Sequence, residues 1–267
     1  MRLEIKIVVS IGIMLLLGGC EDIFEFSPYA ANVKDSYKNT DQKNINSLLK
    51  ADLIIKDEFK VAVIADSHYK YNELDGAISM INKMNDIDFV IANGDITNNG
   101  YLKEYELFHE QMDNLKVPYI TVIGNHDYKS NGEKIYQEIY GKTNYTVSYN
   151  NCLFVIFDNV FWESNKEPDF KWLENQLVES NEYDNVFVVC HQPPYTSQFT
   201  KSMEKTYVDL MLEYNVDLSI HGHIHEYKYG DYYEDGMQYL AVGTIWYEEF
   251  AIITINEETI KAERIKF

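Results

Sequence analysis

Apolar positions along this chain alternate between two spacings. Predominantly apolar runs at 61–65, 89–92, 117–123, 186–190 and 216–220 are short enough to read as strands, the run at 117–123 as a buried one. Between them, residues 75–84 place Ile78, Ile81 and Met84 at helical spacing. Residues 101–115 read as a second helix, and 170–179 as a third with Trp172, Leu173 and Leu177 facing inward. Residues 145–149 and 152–158 predict a hairpin across Asn150-Asn151, and the C-terminal runs 239–242, 250–255 and 260–267 predict further strands. Strands alternating with helices from Phe59 onward define an α/β layered domain.

The first 58 residues follow a different pattern. Arg2 and Lys6 flank an apolar stretch, 7–17, which leads into Gly18-Gly19-Cys20. A charged start, a short apolar core and small residues before a cut make a secretory signal, too short for a span of about 20 apolar residues. Leu17-Gly18-Gly19-Cys20 resembles the lipobox of bacterial lipoproteins, in which the cysteine is lipidated and becomes the new N-terminus. Residues 21–58 are polar, which predicts a tether with a short helix around 45–50. The expected organisation is a signal peptide at 1–19, lipidated Cys20 and tether at 20–58, and one domain at 59–267. Its expected place is the bacterial cell envelope, facing periplasm or surface, with the lipid anchor as its only membrane contact.

Charge narrows the partners. The chain carries a net charge of −20, and loss of Arg2, Glu4 and Lys6 with the signal makes it −21. Such a surface repels long nucleic acid. Arg264 is the only arginine beyond Arg2, so a phosphate site here needs metal ions or lysines. Cys152 and Cys190 sit inside apolar runs, as small buried thiols or as one disulfide pair.

The ends of five apolar runs carry the chemistry: Asp66 and His68, Asp95, Asn125 and His126, His191, and His223 and His225. Of seven histidines only His109, on a helix, lies away from them. Residues two apart in extended backbone point to one side, which would aim Asp66 with His68, and His223 with His225, at a common centre. Imidazole with carboxylate suits Mn, Fe, Zn or Co, and no cysteine joins the set.

Asp66-x-His68, Gly94-Asp95, Gly124-Asn125-His126-Asp127, His191 and Gly222-His223-x-His225 fall in the order found in the calcineurin-like metallophosphoesterases, which this chain resembles over residues 59–267. The resemblance implies a four-layer α/β/β/α sandwich of two mixed sheets flanked by helices. It implies two divalent ions: one on Asp66, His68 and His225, the other on Asn125, His191 and His223, with Asp95 bridging. It further implies hydrolysis of a small phosphate ester by a metal-bridging hydroxide. His126, beside a ligand, is expected to protonate the leaving oxygen or steady the transition state, with a purely structural role as the alternative. His221 reads as a supporting or core residue; Asp127 either orients the turn or is solvated.

Departures narrow the substrate. Asn98 stands where protein Ser/Thr phosphatases resemble Gly-Asp-x-x-Asp-Arg-Gly and where purple acid phosphatases have an iron-binding tyrosine. Asp66-x-His68 without that tyrosine resembles the cyclic-nucleotide phosphodiesterase branch. His191-x-Pro193-x-Tyr195 and Gly222-His223-x-His225-x-Tyr227 instead resemble purple acid phosphatases. A phosphodiesterase is the expectation, with a phosphomonoesterase or a non-catalytic metal-binding scaffold as alternatives. Tyr69, Tyr71, Tyr195, Phe199, Trp246 and Tyr247 neighbour the motifs and could stack on a base or sugar, although ordinary packing explains any one of 22 tyrosines. Lys70 and Lys129 read as solvated.

Overall fold

The computed structural model describes residues 27–267; Cys20 and the signal segment lie outside the described residues. Two sheets stack face to face. The first holds β1 (Glu58–Ile64), β2 (Phe89–Asn93), β3 (Tyr119–Val122), β10 (Glu249–Asn256) and β11 (Ile260–Lys266), in the order β11-β10-β1-β2-β3. The second holds β4 (Tyr145–Tyr149), β5 (Cys152–Ile156), β6 (Asn185–Val189), β7 (Leu218–His221), β8 (Tyr227–Gly230) and β9 (Tyr239–Val242), in the order β4-β5-β6-β7-β9-β8. Both are mixed: β1-β2-β3 and β5-β6-β7-β9 run parallel, and the remaining pairs run antiparallel.

The apolar runs make sense in this stack because each central strand is covered twice. Val61 and Val63 of β1, Phe89 and Ile91 of β2, and Phe187 and Val189 of β6 point into the layer between the sheets. Their alternates point outward under helices: Ala62, Ile64, Val90 and Ala92 on one side, Val186 and Val188 on the other. The outer layers are α2 (Tyr71–Ile81), α3 (Leu102–Met112) and α4 (Gly132–Ile139) on the first sheet, and α5 (Phe170–Val178) and α6 (Lys201–Glu213) on the second. The result is the expected α/β/β/α sandwich. The hairpin turns across Asn150 and Asn151, whose φ values of 50° and 59° suit a two-residue loop.

Some expectations are corrected. Helix α2 starts at Tyr71 rather than 75, and α4, α6 and β8 have no counterpart among the predicted elements. The supposed tether contains α1, Thr40–Ala51, twice the expected length and packed on the domain. Leu48 enters the inter-sheet core, and the buried Asp41 accepts hydrogen bonds from Thr121 Oγ1 at 2.8 Å and Tyr145 Oη at 3.0 Å. Cys152 faces the inter-sheet core and Cys190 the α5–α6 layer; both are free buried thiols. Among the described residues no helix is long and apolar enough to cross a membrane.

Candidate metal centre

All the motif residues gather where β1, β2, β3, β6 and β7 end, the position at which parallel strands leave a sheet and ligands bind. They do not converge through extended backbone. Asp66, His68, Asp95, His223 and His225 have φ of 55°, 46°, 49°, 68° and 55°, left-handed values that non-glycine residues adopt at a cost. Each chain turns sharply as it leaves its strand, and those turns aim the side chains inward.

The two carboxylates are held the same way. Asp95 Oδ1 accepts the His126 N–H at 2.8 Å, and Asp66 Oδ2 accepts the His223 N–H at 3.0 Å. Each has its other oxygen among imidazoles. Asp66 Oδ1 lies 3.3 Å from His225 Nε2 and 3.9 Å from His191 Nε2. Asp95 Oδ2 lies 3.3 Å from His191 Nε2 and 3.7 Å from His68 Nε2. Donor atoms of Asp66, His68 and His225 fall within 4.8 Å of one another, as do those of Asp95, His191 and His223. Asn125 completes the second group through Oδ1, 3.0 Å from His223 Nδ1. A third group joins His68 and Asp95 to His126, so distance alone does not separate His126 from the ligands.

This donor set fits divalent cations. Asp66 Oδ1, both ring nitrogens of His68 and Nε2 of His191 are buried without a hydrogen-bond partner, which is costly in a folded protein unless something else satisfies them. His191 Nδ1 donates to the Asn93 carbonyl at 2.8 Å, which leaves Nε2 for a ligand role. Burial pushes the His191 imidazole down, but Asp95 and Asp66 outweigh it and hold it at about 10. Burial lowers His68 and His223 to about 4, with neighbouring His191 adding to the effect at His223. The Asp66 carboxylate beside it raises His225. A cation binding here competes mainly with the proton on His191.

Supporting residues complete the picture. Asp127 is buried rather than solvated: its carboxylate accepts from the amides of Ile96, Thr97 and Gly124 and from Thr97 Oγ1, clamping the Asp95 loop to the Asn125 loop. Glu163 accepts from Asn125 Nδ2 at 3.1 Å, which turns Oδ1 toward His223. Thr244 Oγ1 donates to the Asp66 carbonyl at 3.1 Å. Lys129 is not solvated either; its Nζ lies 2.8 Å from His126 Nδ1 and 3.2 Å from the Asn98 carbonyl. His221 is core: it is fully buried, bonds Ser219 Oγ at 2.8 Å and stacks on Tyr239. Of the aromatic candidates, Tyr69 and Trp246 lie beside His68, Phe199 is in the α5–α6 core, and Tyr195 stacks on Tyr232. Arg264 is committed to Glu249 at 2.7 Å, so among the described residues no arginine serves the site.

Fold and donor set together define a two-sheet sandwich with a strand-end cluster of candidate metal ligands. The chain belongs to the calcineurin-like phosphoesterase family, whose model matches residues 59–227. A probable cyclic nucleotide phosphodiesterase of Xenorhabdus bovienii is 26% identical over 162 residues, covering 55% of this chain and 65% of that one. A probable glycerophosphodiester phosphodiesterase of Arcobacter nitrofigilis is 36% identical over 91 residues, covering 29% and 33%. The chain thus spans less than two thirds of either curated relative. A purple acid phosphatase from yellow lupin seeds shares the fold, with a TM-score of 0.65 at 18% identity, covering 78% of this chain and 51% of that one.

Proposed function

We propose that this chain is a metal-dependent phosphodiesterase acting on a small phosphate ester. One observation carries the reading: Asp95 Oδ2 lies within 3.7 Å of His68 Nε2 in one donor group and 3.3 Å of His191 Nε2 in the other, so Asp95 would serve both groups if cations were bound. Asp66, His68 and His225 would hold the first ion. Asn125, His191 and His223 would hold the second, and Mn, Fe, Zn or Co all suit these donors. When bound, such a pair supplies Lewis-acid polarisation of phosphoryl oxygens and a nucleophile drawn from water at neutral pH.

The protein's own contribution is orientation and proton supply. Asp127 and Glu163 fix the loops and the Asn125 amide, so the donors are placed before substrate arrives. His126 is the candidate acid for the leaving oxygen. Its Nδ1 lies 2.8 Å from both the Asn98 carbonyl and Lys129 Nζ, and these two contacts hold the ring in place beside the donor groups. The sequence departure at Asn98 and the two curated relatives both support a diester substrate. The second reading, a phosphomonoesterase, rests on the His191-x-Pro193-x-Tyr195 pattern.

Hydrolysis of bis-p-nitrophenyl phosphate against p-nitrophenyl phosphate, after reconstitution with Mn²⁺, tests the reading. Faster diester cleavage is expected. Faster monoester cleavage would transfer the assignment to the second reading, and no cleavage of either by metal-loaded protein would favour a scaffold. We further propose that Cys20 is lipidated and ties the protein to the cell envelope, with its spacing after Leu17 as support. Metabolic labelling with a palmitate analogue should mark the wild type and not Cys20→Ser; an unmarked wild type removes the anchor.

A further inference from the structure

We infer that Trp246 and Tyr69 form a stacking wall for a planar aromatic group on the substrate, so that the ester cleaved is a nucleoside ester rather than a glycerol ester. This rests on the phosphodiesterase reading above and adds the substrate class.

The wall is built into the metal centre. Trp246 lies in the short turn Ile245–Tyr247, and its ring centroid is 5.5 Å from that of His68, 5.8 Å from His225 and 5.3 Å from Tyr69. The turn is stitched to the end of β1. Ile245 N donates to the Ala65 carbonyl at 3.2 Å, and Thr244 Oγ1 accepts from Trp246 N while it donates to the Asp66 carbonyl. The ring therefore keeps its place relative to two proposed ligands of the first ion. Tyr69 follows the proposed ligand His68 directly and is 49% exposed, so part of its ring is open to solvent beside the donor groups. Lys70 Nζ lies 5.1 Å from the Trp246 ring centroid and 5.9 Å from that of Tyr69, and is paired with Glu73 at 3.4 Å. The ammonium thus sits within cation–π distance of both rings, with Glu73 offsetting its charge.

Base–aromatic stacking tolerates any base and is lost on removal of the ring, whereas a glycerol ester gains nothing from it. No other cation is needed to recognise the base.

Two measurements on the metal-loaded full-length protein test this. In the first, calorimetry compares adenosine 5′-monophosphate with glycerol 3-phosphate. The wild type should bind the nucleotide roughly 10- to 100-fold more tightly, and Trp246→Ala and Tyr69→Ser should each erase most of that preference. Trp246→Phe, which keeps a ring, should retain part of it. In the second, kcat/KM for thymidine 5′-p-nitrophenyl phosphate is compared with that for methyl p-nitrophenyl phosphate. The wild type should prefer the thymidine ester by a similar factor, and the ratio should fall toward one in Trp246→Ala. Equal binding of the two phosphates by the wild type, or a preference untouched in both Trp246→Ala and Tyr69→Ser, overturns the wall. Stacking-dependent binding with neither diester cleaved would keep the wall and sink the diesterase reading instead.

Discussion

A Cβ placed on Gly124 would lie 2.1 Å from the Asp95 amide nitrogen and 2.3 Å from its Oδ1, far inside contact distance. Gly94 is confined in the same way by the His191 ring, whose Nδ1 would be 2.3 Å away. The glycines of these motifs allow one strand-end loop to press against the carboxylate of another. Gly124→Ala should therefore displace Asp95 and break the clamp that Asp127 makes across the loops. A stability loss of about 1–3 kcal/mol is expected from such overpacking, with weakened metal retention; urea denaturation and metal analysis of the same sample would read both. A variant with wild-type stability and wild-type metal content would show that the close approach is not needed.

At the scale of elements, α1 is fastened by a carboxyl that burial pushes up to about 7 from an ordinary 3.8, against the hydrogen bonds from Thr121 and Tyr145. A raised carboxyl in the folded state is protonated while the unfolded one is ionised, so stability is full below pH 4 and falls between pH 4 and 7. The whole shift corresponds to about 4 kcal/mol. Asp41→Asn should flatten that part of the profile, and the gap between variant and wild type in urea midpoint should widen from pH 4.5 to pH 8. Parallel profiles would mean that Asp41 is ionised in the folded protein. The polar composition of residues 21–58 hid this helix, because a buried Asp satisfied by distant partners leaves no local mark. The strand ends were legible for the opposite reason: strands covered on both faces must be apolar throughout, and ligand-type residues stand out where the apolar run stops. What periodicity misjudged was how the ligands converge. Left-handed turns at Asp66, His68, Asp95, His223 and His225, rather than side-chain alternation along extended strands, bring them together. Glu163 and Thr244 reach the site from loops remote in sequence, so no spacing rule could have found them.

The whole molecule places its reactive groups at one end of a two-sheet frame within a strongly acidic chain of net charge −20, and the arginine among the described residues, Arg264, is bound to Glu249. Binding an anionic phosphate ester in such a chain requires compensating positive charge, and the described site offers carboxylates and imidazoles arranged to hold it as cations. Metal stoichiometry after reconstitution with Mn²⁺, read by mass spectrometry on folded protein, tests this most directly. Two ions per chain are expected in the wild type. Asp95→Asn should lose at least one and with it the activity, whereas His126→Ala should keep both while its rate falls by roughly 10²–10⁴-fold. Well-folded wild type that retains no metal would contradict the account, and loss of metal from His126→Ala would move that residue from proton donor to ligand.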